Sequence, residues 1–483
     1  MASSIVVALE SLFSPVNIGV AIVSALIITE LCRFYTDPLG HIPGPFIARL
    51  TPLWLWKLTW SGVECRTIAA LHEKYGPVVR IAPNEVDISD GVAIYPVYIR
   101  NGGFLKSPIY QNYDVNGSVT IFSGLDPGHR AIRAKAVTPI FAQKAVASGR
   151  PAVQSVADGM VTELERRKDE ACGEPVDVLN LFRALALDTV TTYLCGESYG
   201  SVGKQRLSAT AFVDDFVAGG RFFYLPGWIF NHVSDWAAKL DKNKVSIVAS
   251  TEIIEQFATR VVDRSMAEEK GEGQTYQGRL LRAGISRDET IAQVIDIMFA
   301  GTDAAGMTMS LLACELARHP DKYEHARKEL LANPDADPQC LPYLTGIIKE
   351  SLRLSNANPT RFPRIVPSPG LEIPGLPTIP AGTSVGLGAY ILHLNSDVFP
   401  EPQKFLPERW LNPTPEMLRD SFYFGAGARQ CIARNLASAG LYWSAEALIR
   451  SDLLRGARPV DEKIEILEWF NAKVVKGKIE LRW

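Results

Sequence analysis

The stretch Phe424-Gly-Ala-Gly-Ala-Arg-Gln-Cys431 decides the fold of this chain. Its single thiol ends a glycine-rich loop and lies directly before a helical run over residues 432–449. The start of a helix presents free N–H groups and the positive end of the helix dipole, which lower a thiol pKa and stabilise the thiolate. The pattern therefore predicts a thiolate that coordinates a metal. For the cysteine taken alone, the alternative is a buried free thiol.

The residues around the thiol fit a flat ligand. Gly425 and Gly427 let the backbone approach such a ligand because they carry no Cβ atom. Phe424 is expected to screen the sulfur from water, and Arg429 is expected to reach a carboxylate on the rim of the ligand.

This F-x-x-G-x-R-x-C pattern resembles the haem-binding loop of the cytochrome P-450 superfamily, with Ala433 at the family's next glycine. The resemblance implies a b-type haem whose iron takes Cys431 as its axial thiolate, a ligand that favours O–O cleavage. It also implies one large, helix-rich fold, mainly α with small β-sheets. With three further blocks, it covers the chain from about residue 40 to the C-terminus.

The first further block is Glu350-Ser-Leu-Arg353, whose acid and base lie on one helix face. A surface ion pair is the commoner fate of such a pair. The block resembles the E-x-x-R helix of the family, and Phe405-Leu-Pro-Glu-Arg-Trp410 resembles its P-E-R-F block. The resemblance implies that Arg409 joins Glu350 and Arg353 in a buried triad that fixes the core around the haem loop.

The second block, Ala300-Gly-Thr-Asp-Ala-Ala305, lies in an apolar helical run from about Asp288 to Arg318. Ser286 and Glu289 form a capping box that predicts the start of this helix. In the family this helix crosses the distal face of the haem. The resemblance therefore places the haem between the Ala300–Asp303 segment and the Cys431 loop.

Ala304 is the main departure from the family pattern, because a threonine normally follows the acid and orders water with it. Asp303 remains, and we expect it to be the catalytic group that relays protons. Thr308 lies one turn further on the face of Ala304, and Thr302 points elsewhere, so neither replaces the missing hydroxyl simply.

The third block, Asp126-Pro-Gly-His-Arg-Ala-Ile-Arg133, resembles the family's helix whose basic residues hold a haem propionate. His129 and Arg133 are four residues apart and face one way. Arg364 matches the family's other propionate arginine. For Arg130 we expect a solvated place on the helix surface.

Composition excludes other classes of protein. The net charge of −3 gives no electrostatic reason to expect nucleic-acid binding. The seven cysteines are scattered, odd in number and without a C-x-x-C pair, which argues against a disulfide framework and against a zinc site. No repeat or Gly/Ser linker divides the 483 residues after residue 50.

The N-terminus is predicted to be a separate unit. Residues 15–31 are mostly apolar, and a cleaved signal peptide is the alternative to a membrane anchor. Lys and Arg occur only after this run, which predicts a cytosolic body. The resemblance to microsomal members implies a single-pass anchor in the endoplasmic reticulum membrane over residues 1–35, a proline-rich hinge over 36–50 and a catalytic domain over 51–483.

The tryptophan-rich stretch over residues 50–60 is a second membrane-interface candidate. We expect a pocket for a lipophilic small molecule, because the candidate positions are apolar to mildly polar. These positions are residues 110–119, Phe299, Ala300, Ala304, 358–362 and 470–472.

The resemblance to fungal secondary-metabolism members implies a monooxygenase that takes electrons from an NADPH-dependent reductase, which the basic loop before Cys431 is expected to face. The first alternative is a haem-thiolate enzyme of atypical oxidation, such as coupling, desaturation or rearrangement. The second is a non-catalytic haem-binding membrane protein.

Overall fold

The computed structural model describes residues 17, 20, 24, 35–203, 210–240, 244–267 and 274–483. The predicted anchor over residues 1–35 lies outside the described residues, apart from four isolated positions. The described part of the chain is mainly helical with small sheets, as the sequence predicts. Its helices are α1 Phe46–Leu50, α2 Leu53–Trp60, α3 Glu64–Tyr75, α4 Pro127–Val137, α5 Gln143–Ser148, α6 Arg150–Ala171, α7 Leu179–Val190, α8 Thr210–Gly219, α9 Gly227–Leu240, α10 Lys244–Ala267, α11 Tyr276–Arg282, α12 Arg287–Arg318, α13 Pro320–Ala332, α14 Pro342–Ser355, α15 Ala389–His393, α16 Pro415–Arg419 and α17 Arg434–Arg450.

The strands form small sheets at the edge of the helical body. They are β1 Val78–Ala82, β2 Glu85–Ile88, β3 Leu105–Lys106, β4 Val176–Asp177, β5 Arg364–Ile365, β6 Gly370–Leu371, β7 Ile379–Pro380, β8 Ser384–Gly386, β9 Arg458–Pro459, β10 Ile466–Leu467, β11 Lys473–Val474 and β12 Glu480–Arg482. The largest sheet has the order β1-β2-β8-β5-β3, in which only β2 and β8 run parallel. Three smaller groups are β10-β11, β4-β12-β9 and β6-β7.

Strands β1 and β2 form an antiparallel hairpin, with Val79 opposite Asp87. Strands β10 and β11 also pair antiparallel. The last strand, β12, leaves that hairpin and pairs with β4 and β9 instead.

Residues 37–45, which belong to the predicted hinge over 36–50, pack against the largest sheet. Leu39 and Ile42 are buried in a core cluster with residues of the largest sheet. The carboxylate of Asp37 pairs with Arg80 of β1, and the N–H of Arg80 donates to the carbonyl of Pro43 at 2.8 Å. Residues 37–45 are therefore packed against the sheet, because buried side chains and an ion pair hold them there.

Helix α12 is the long central helix that the sequence predicts. It begins at Arg287 because the N–H of Glu289 donates to the hydroxyl of Ser286 at 3.3 Å. Helix α7 packs closely against it, since a Cβ atom at Gly306 would lie 2.7 Å from Cγ of Arg183. Among the described residues, α12 is the helix long and apolar enough to cross a bilayer, and most of it is buried inside the protein.

Candidate functional site

The fully buried carboxylate of Glu350 is the centre of an ionic network. Arg353 donates two hydrogen bonds to it, at 2.7 and 2.9 Å, and Arg409 donates a third at 3.0 Å. The backbone N–H of Leu406 and the indole N–H of Trp410 fill its remaining positions, at 3.0 and 2.8 Å. The structure thus brings the three residues of the predicted triad together on α14 and the turn over residues 407–410.

His393 links this network to the loop before the thiol, which the sequence does not reveal. Its Nδ1 donates to the carbonyl of Arg353 at 3.1 Å, and its Nε2 accepts the N–H of Phe422 at 3.0 Å. Burial and the positive charge of Arg353 together lower the pKa of His393 to about 3. The imidazole therefore stays neutral and bridges α14 to the start of the Cys431 loop.

The Cys431 loop has a tightly fixed backbone. The N–H of Cys431 donates to the carbonyl of Phe424 at 2.9 Å. Gly427 has a φ of +69°, and a Cβ atom there would lie 1.8 Å from the carbonyl oxygen of Tyr98. Gly427 is thus required by the close approach of a neighbouring segment of the protein, a reason that differs from the expected contact with a ligand.

Cys431 lies among the residues that line a cavity, where part of its surface is accessible, and it precedes α17 by three residues. Burial raises the pKa of its thiol, whereas the backbone N–H of Ala433 and the charge of Arg434 lower it. The expected helix-start effect is present, but burial outweighs it in the protein alone.

The cavity extends between α12 and the Cys431 loop. Phe424 and Cys431 lie on one side of it, and Ala300, Ala304 and Thr308 lie on the other. Most of its wall is apolar. Of the positions expected to form a pocket, those that line it are Tyr110, Phe299, Ala300, Ala304, Asn358, Phe362, Phe470 and Asn471.

Four cationic side chains converge on this cavity: Lys106, Arg130, Arg364 and Arg429. Burial lowers the pKa of Lys106 well below its usual value, and the neighbouring arginines lower it further. Burial also lowers the pKa of Arg429 to about 10. In the described part of the chain, none of the four forms an ion pair with a carboxylate.

This uncompensated charge fits an anionic group bound in the cavity. Arg429 is oriented by the carbonyls of Gly124 and Leu125, at 2.7 and 3.1 Å, and Arg364 by the carbonyl of Pro363 at 3.0 Å. A haem would place its propionates beside such cations and its iron beside a thiolate. The residues present therefore fit a haem.

Helix α4 orients its basic residues differently from the expectation. Arg130 lines the cavity, so its predicted place as a solvated surface residue is wrong. Arg133 is buried and donates from Nε and Nη2 to the two carboxylate oxygens of Glu289 on α12, while its Nη1 donates to the carbonyl of His129. His129 is partly buried, and its Nδ1 has no hydrogen-bond partner among the described residues. The propionate roles of His129 and Arg133 stay predictions.

Asp303 faces away from the cavity, toward α7. Its Oδ1 accepts hydrogen bonds from Arg183 at 3.0 and 2.6 Å, and both side chains are buried. Arg183 also donates to Asp214 on α8 at 3.3 Å. Oδ2 of Asp303 is buried without a partner in the described part of the protein. Burial raises the pKa of Asp303, while Arg183 lowers it.

The cavity face of α12 carries Ala304 and Ala305 where a hydroxyl is expected. The nearest hydroxyl on this face is that of Thr308, which also lines the cavity and donates to the carbonyl of Ala304 at 2.9 Å. Thr302 donates to the carbonyl of Met298 at 2.6 Å and is buried away from the cavity.

Sequence reasoning missed a second acid on this helix. Asp296 lines the same cavity and is 8% exposed, and burial raises its pKa to about 6. Its spacing of four residues before Ala300 and eight before Ala304 is the signal that was available in the sequence.

Comparison with known proteins gives the family of this chain's relatives. The family model described as Cytochrome P450 matches residues 50–449. The chain is 37% identical to the cytochrome P450 monooxygenase mfmF of Annulohypoxylon moriforme, over 95% of this chain and 97% of that protein. It is 30% identical to the fusicoccadiene C-8 hydroxylase of Alternaria brassicicola, over 84% of this chain and 82% of that protein.

A solved structure has the same fold. The crystal structure of the cytochrome P450 CYP102L1 superposes with a TM-score of 0.69 and 16% sequence identity, over 86% of this chain and 97% of that chain. At this identity, the likeness concerns the fold alone.

Proposed function

Since this chain belongs to the cytochrome P450 family and is a haem-thiolate monooxygenase, we propose that it oxidises a lipophilic small molecule with electrons from an NADPH-dependent reductase. The reaction is a hydroxylation or a related tailoring step in the biosynthesis of a secondary metabolite. The observation that carries this proposal is the apolar cavity between α12 and the Cys431 loop, with its uncompensated cationic side. The relative from Alternaria brassicicola, named as a fusicoccadiene hydroxylase, supports the substrate class.

Each part of the cavity has a task in this proposal. Cys431 would hold the iron, and the haem would supply oxygen activation when bound. Arg364 and Arg429 would hold the propionates together with the predicted His129 and Arg133, and Phe424 would keep water from the sulfur. The apolar wall binds the substrate and excludes water from the reacting carbon.

The route of protons to the cavity depends on Asp303. Because Arg183 holds one oxygen of Asp303, the free Oδ2 is the atom that can exchange a proton with water. A water molecule or a substrate hydroxyl beside Ala304 completes the relay toward the cavity. The hydroxyl of Thr308 supports this route as a nearby polar group.

We also propose that the enzyme is attached to the endoplasmic reticulum membrane by residues 1–35 and by the surface of α2 and α9. Leu53, Trp60, Trp228 and Trp236 are between 51% and 73% exposed. The rings of Trp60 and Phe222 lie 5.1 Å apart, which joins α2 to the segment before α9. Tryptophans of this kind are enriched at membrane interfaces.

The reductase is proposed to approach near the start of α17. Arg434 is exposed there, whereas Arg429 points inward to the carbonyl of Gly124. The loop before Cys431 was expected to face the electron donor, but its Arg429 is directed into the cavity. The exposed Arg434, which follows the thiol, is therefore proposed as the cation that faces the reductase.

A second candidate function is an atypical oxidation, such as coupling, desaturation or rearrangement. It is favoured by the absence of a hydroxyl at Ala304 and by the orientation of Asp303 away from the cavity. Ala304→Thr separates the two candidates, because a restored hydroxyl improves the coupling of electrons to product only where controlled protonation is needed. Peroxide release is measured alongside.

The test of the proposed function is the spectrum of the reduced, carbon-monoxide-bound protein, followed by product analysis with a microsomal reductase. A red-shifted Soret band of the thiolate type and NADPH-dependent oxidation of a lipophilic substrate are expected. Cys431→Ala should lose both, since no other residue supplies the thiolate. Full turnover in Cys431→Ala would overturn the assignment.

A further inference from the structure

Asp296 lies on the face of α12 that carries Ala300 and Ala304, and it lines the same cavity. At a rise of 1.5 Å per residue, its Cα is about 12 Å from that of Ala304 along the helix axis. A ligand that extends along this wall from Ala304 therefore reaches the carboxylate of Asp296. The site lies beyond the Ala300–Ala305 block on which the proposed function depends.

The carboxylate of Asp296 has few partners for a buried acid. Thr120 donates one side-chain hydrogen bond to it, and Lys106 acts on it only through its charge. In the described ranges of the chain, no Lys, Arg or His nitrogen forms an ion pair with Asp296. An ionised carboxylate offers about four acceptor positions, and leaving them unused in an apolar wall is costly. A hydrogen-bond donor on the ligand would offset this cost.

The surrounding charges favour a neutral donor over a cation. Lys106 lines the same cavity and is the cation whose charge acts on Asp296. Its like charge makes the surroundings of Asp296 less favourable for an ammonium group. Asp114 is the other charged group that acts on Asp296. Burial and the negative charge of Asp296 both raise the pKa of Tyr276. A hydroxyl group donates one hydrogen bond without adding positive charge.

We propose that Asp296 is a substrate-anchoring residue that accepts a hydrogen bond from a hydroxyl group of the lipophilic substrate. The inference rests on the proposed function and narrows its substrate class to molecules that already carry a hydroxyl. The separation along α12 places that hydroxyl about 12 Å from the part of the substrate beside Ala304. The oxidised position and the hydroxyl are therefore several bonds apart, at opposite ends of the molecule.

Gln293 provides a matched control for a purely structural role of Asp296. Asp296 contacts the loop after β3 through Thr120, and Gln293 holds the same loop. The side chain of Gln293 accepts the N–H of Ile121 at 3.0 Å and donates to the carbonyl of Val119 at 3.2 Å. Gln293 is fully buried and does not line the cavity. Gln293→Leu therefore loosens the loop without changing the cavity's acceptor.

The experiment uses the full-length, haem-loaded protein and pairs of terpene alcohols with their methyl ethers. Binding is followed by the shift of the haem Soret band. The parent enzyme should bind the preferred alcohol at least about tenfold more tightly than its ether, as expected for a hydrogen bond to a charged acceptor. Asp296→Leu should lose this preference, and Asp296→Asn, which keeps an acceptor, should retain part of it. Gln293→Leu should keep the preference.

Three outcomes would overturn the inference: no preference for the alcohol in any pair, an unchanged preference in Asp296→Leu, or equal losses in Asp296→Leu and Gln293→Leu. Tighter binding of the corresponding amines than of the alcohols would also overturn it, because it would show a site for a cation. These failures leave the proposed function intact as long as the carbon-monoxide spectrum is of the thiolate type. Loss of that spectrum in the parent enzyme would instead refute the proposed function itself.

Discussion

Buried carboxylates on the two sides of the cavity differ in how many hydrogen bonds they accept. On the side of the Cys431 loop, Glu350 accepts five hydrogen bonds from Arg353, Arg409, Trp410 and the N–H of Leu406. On the side of α12, Oδ2 of Asp303 has no partner among the described residues, and Asp296 has one side-chain hydrogen bond. A carboxylate whose acceptor positions are all occupied by hydrogen bonds stabilises the fold, whereas one with free acceptor positions can bind a proton or a ligand.

The largest effect is expected for Glu350, whose carboxylate accepts five hydrogen bonds. Glu350→Ala removes the common partner of Arg353 and Arg409 and leaves buried positive charge, at a cost of roughly 3–5 kcal/mol. The variant should contain little or no haem, as measured by the ratio of haem to protein and by thermal unfolding. Glu401→Ala is the control, because Glu401 pairs with Lys404 at the surface. A haem-replete, well-folded Glu350→Ala protein would show that the network is dispensable.

The second-largest effect is expected for Asp303 on α12, whose Oδ2 has no hydrogen-bond partner among the described residues. Asp303→Asn keeps the shape of the side chain but removes its titratable oxygen, so turnover should fall by roughly 10²-fold. The coupling of NADPH consumption to product should fall as well. Asp214→Asn is the matched control, since it removes the more exposed partner of Arg183 and leaves Asp303 in place. Wild-type turnover and coupling in Asp303→Asn would mean that protons travel by another route.

A smaller effect concerns the pH dependence of stability. Burial raises the pKa of Asp296 from 3.8 to about 6, so the folded protein holds this proton more tightly than the unfolded chain. Its contribution to stability is therefore full below about pH 4 and is lost as pH rises through 6. Relative to Asp296→Asn, the parent enzyme should lose on the order of 1–3 kcal/mol of unfolding free energy over this interval. Chemical unfolding at several pH values measures it, and parallel curves for the two proteins would contradict the shift.

The smallest effect is expected for the N-terminal segment over residues 1–35. Deleting residues 1–35 should release the protein from membranes only in part and leave the haem spectrum unchanged, because residues 37–45 still pack on the sheet. Deleting residues 1–50 should destabilise the protein, since it removes buried Leu39 and Ile42 and the partner of Arg80. Loss of haem from the shorter deletion would show that the anchor is not separable.

Local patterns predicted much of the fold, because short-range chemistry fixes it. The hydroxyl of Ser286, which accepts the N–H of Glu289, sets the start of α12. The spacing of Glu350 and Arg353 places both on one helix face. The packing of residues 37–45 was not predicted, because the burial of Leu39 and Ile42 depends on a sheet formed by distant segments.

The sequence by itself determined the thiol at the end of its loop, the long apolar helix that faces it and the acid–base pair of α14. Each of these is written within a few neighbouring residues. Only the tertiary structure decided that Arg130 lines the cavity while Arg133 pairs with Glu289, that Asp303 turns to Arg183, and that Asp296 remains open. The spacing of residues along a helix determines which side chains share a face, but it does not determine which segment packs against that face. The partner of a buried charge is set by which distant segment packs against that face.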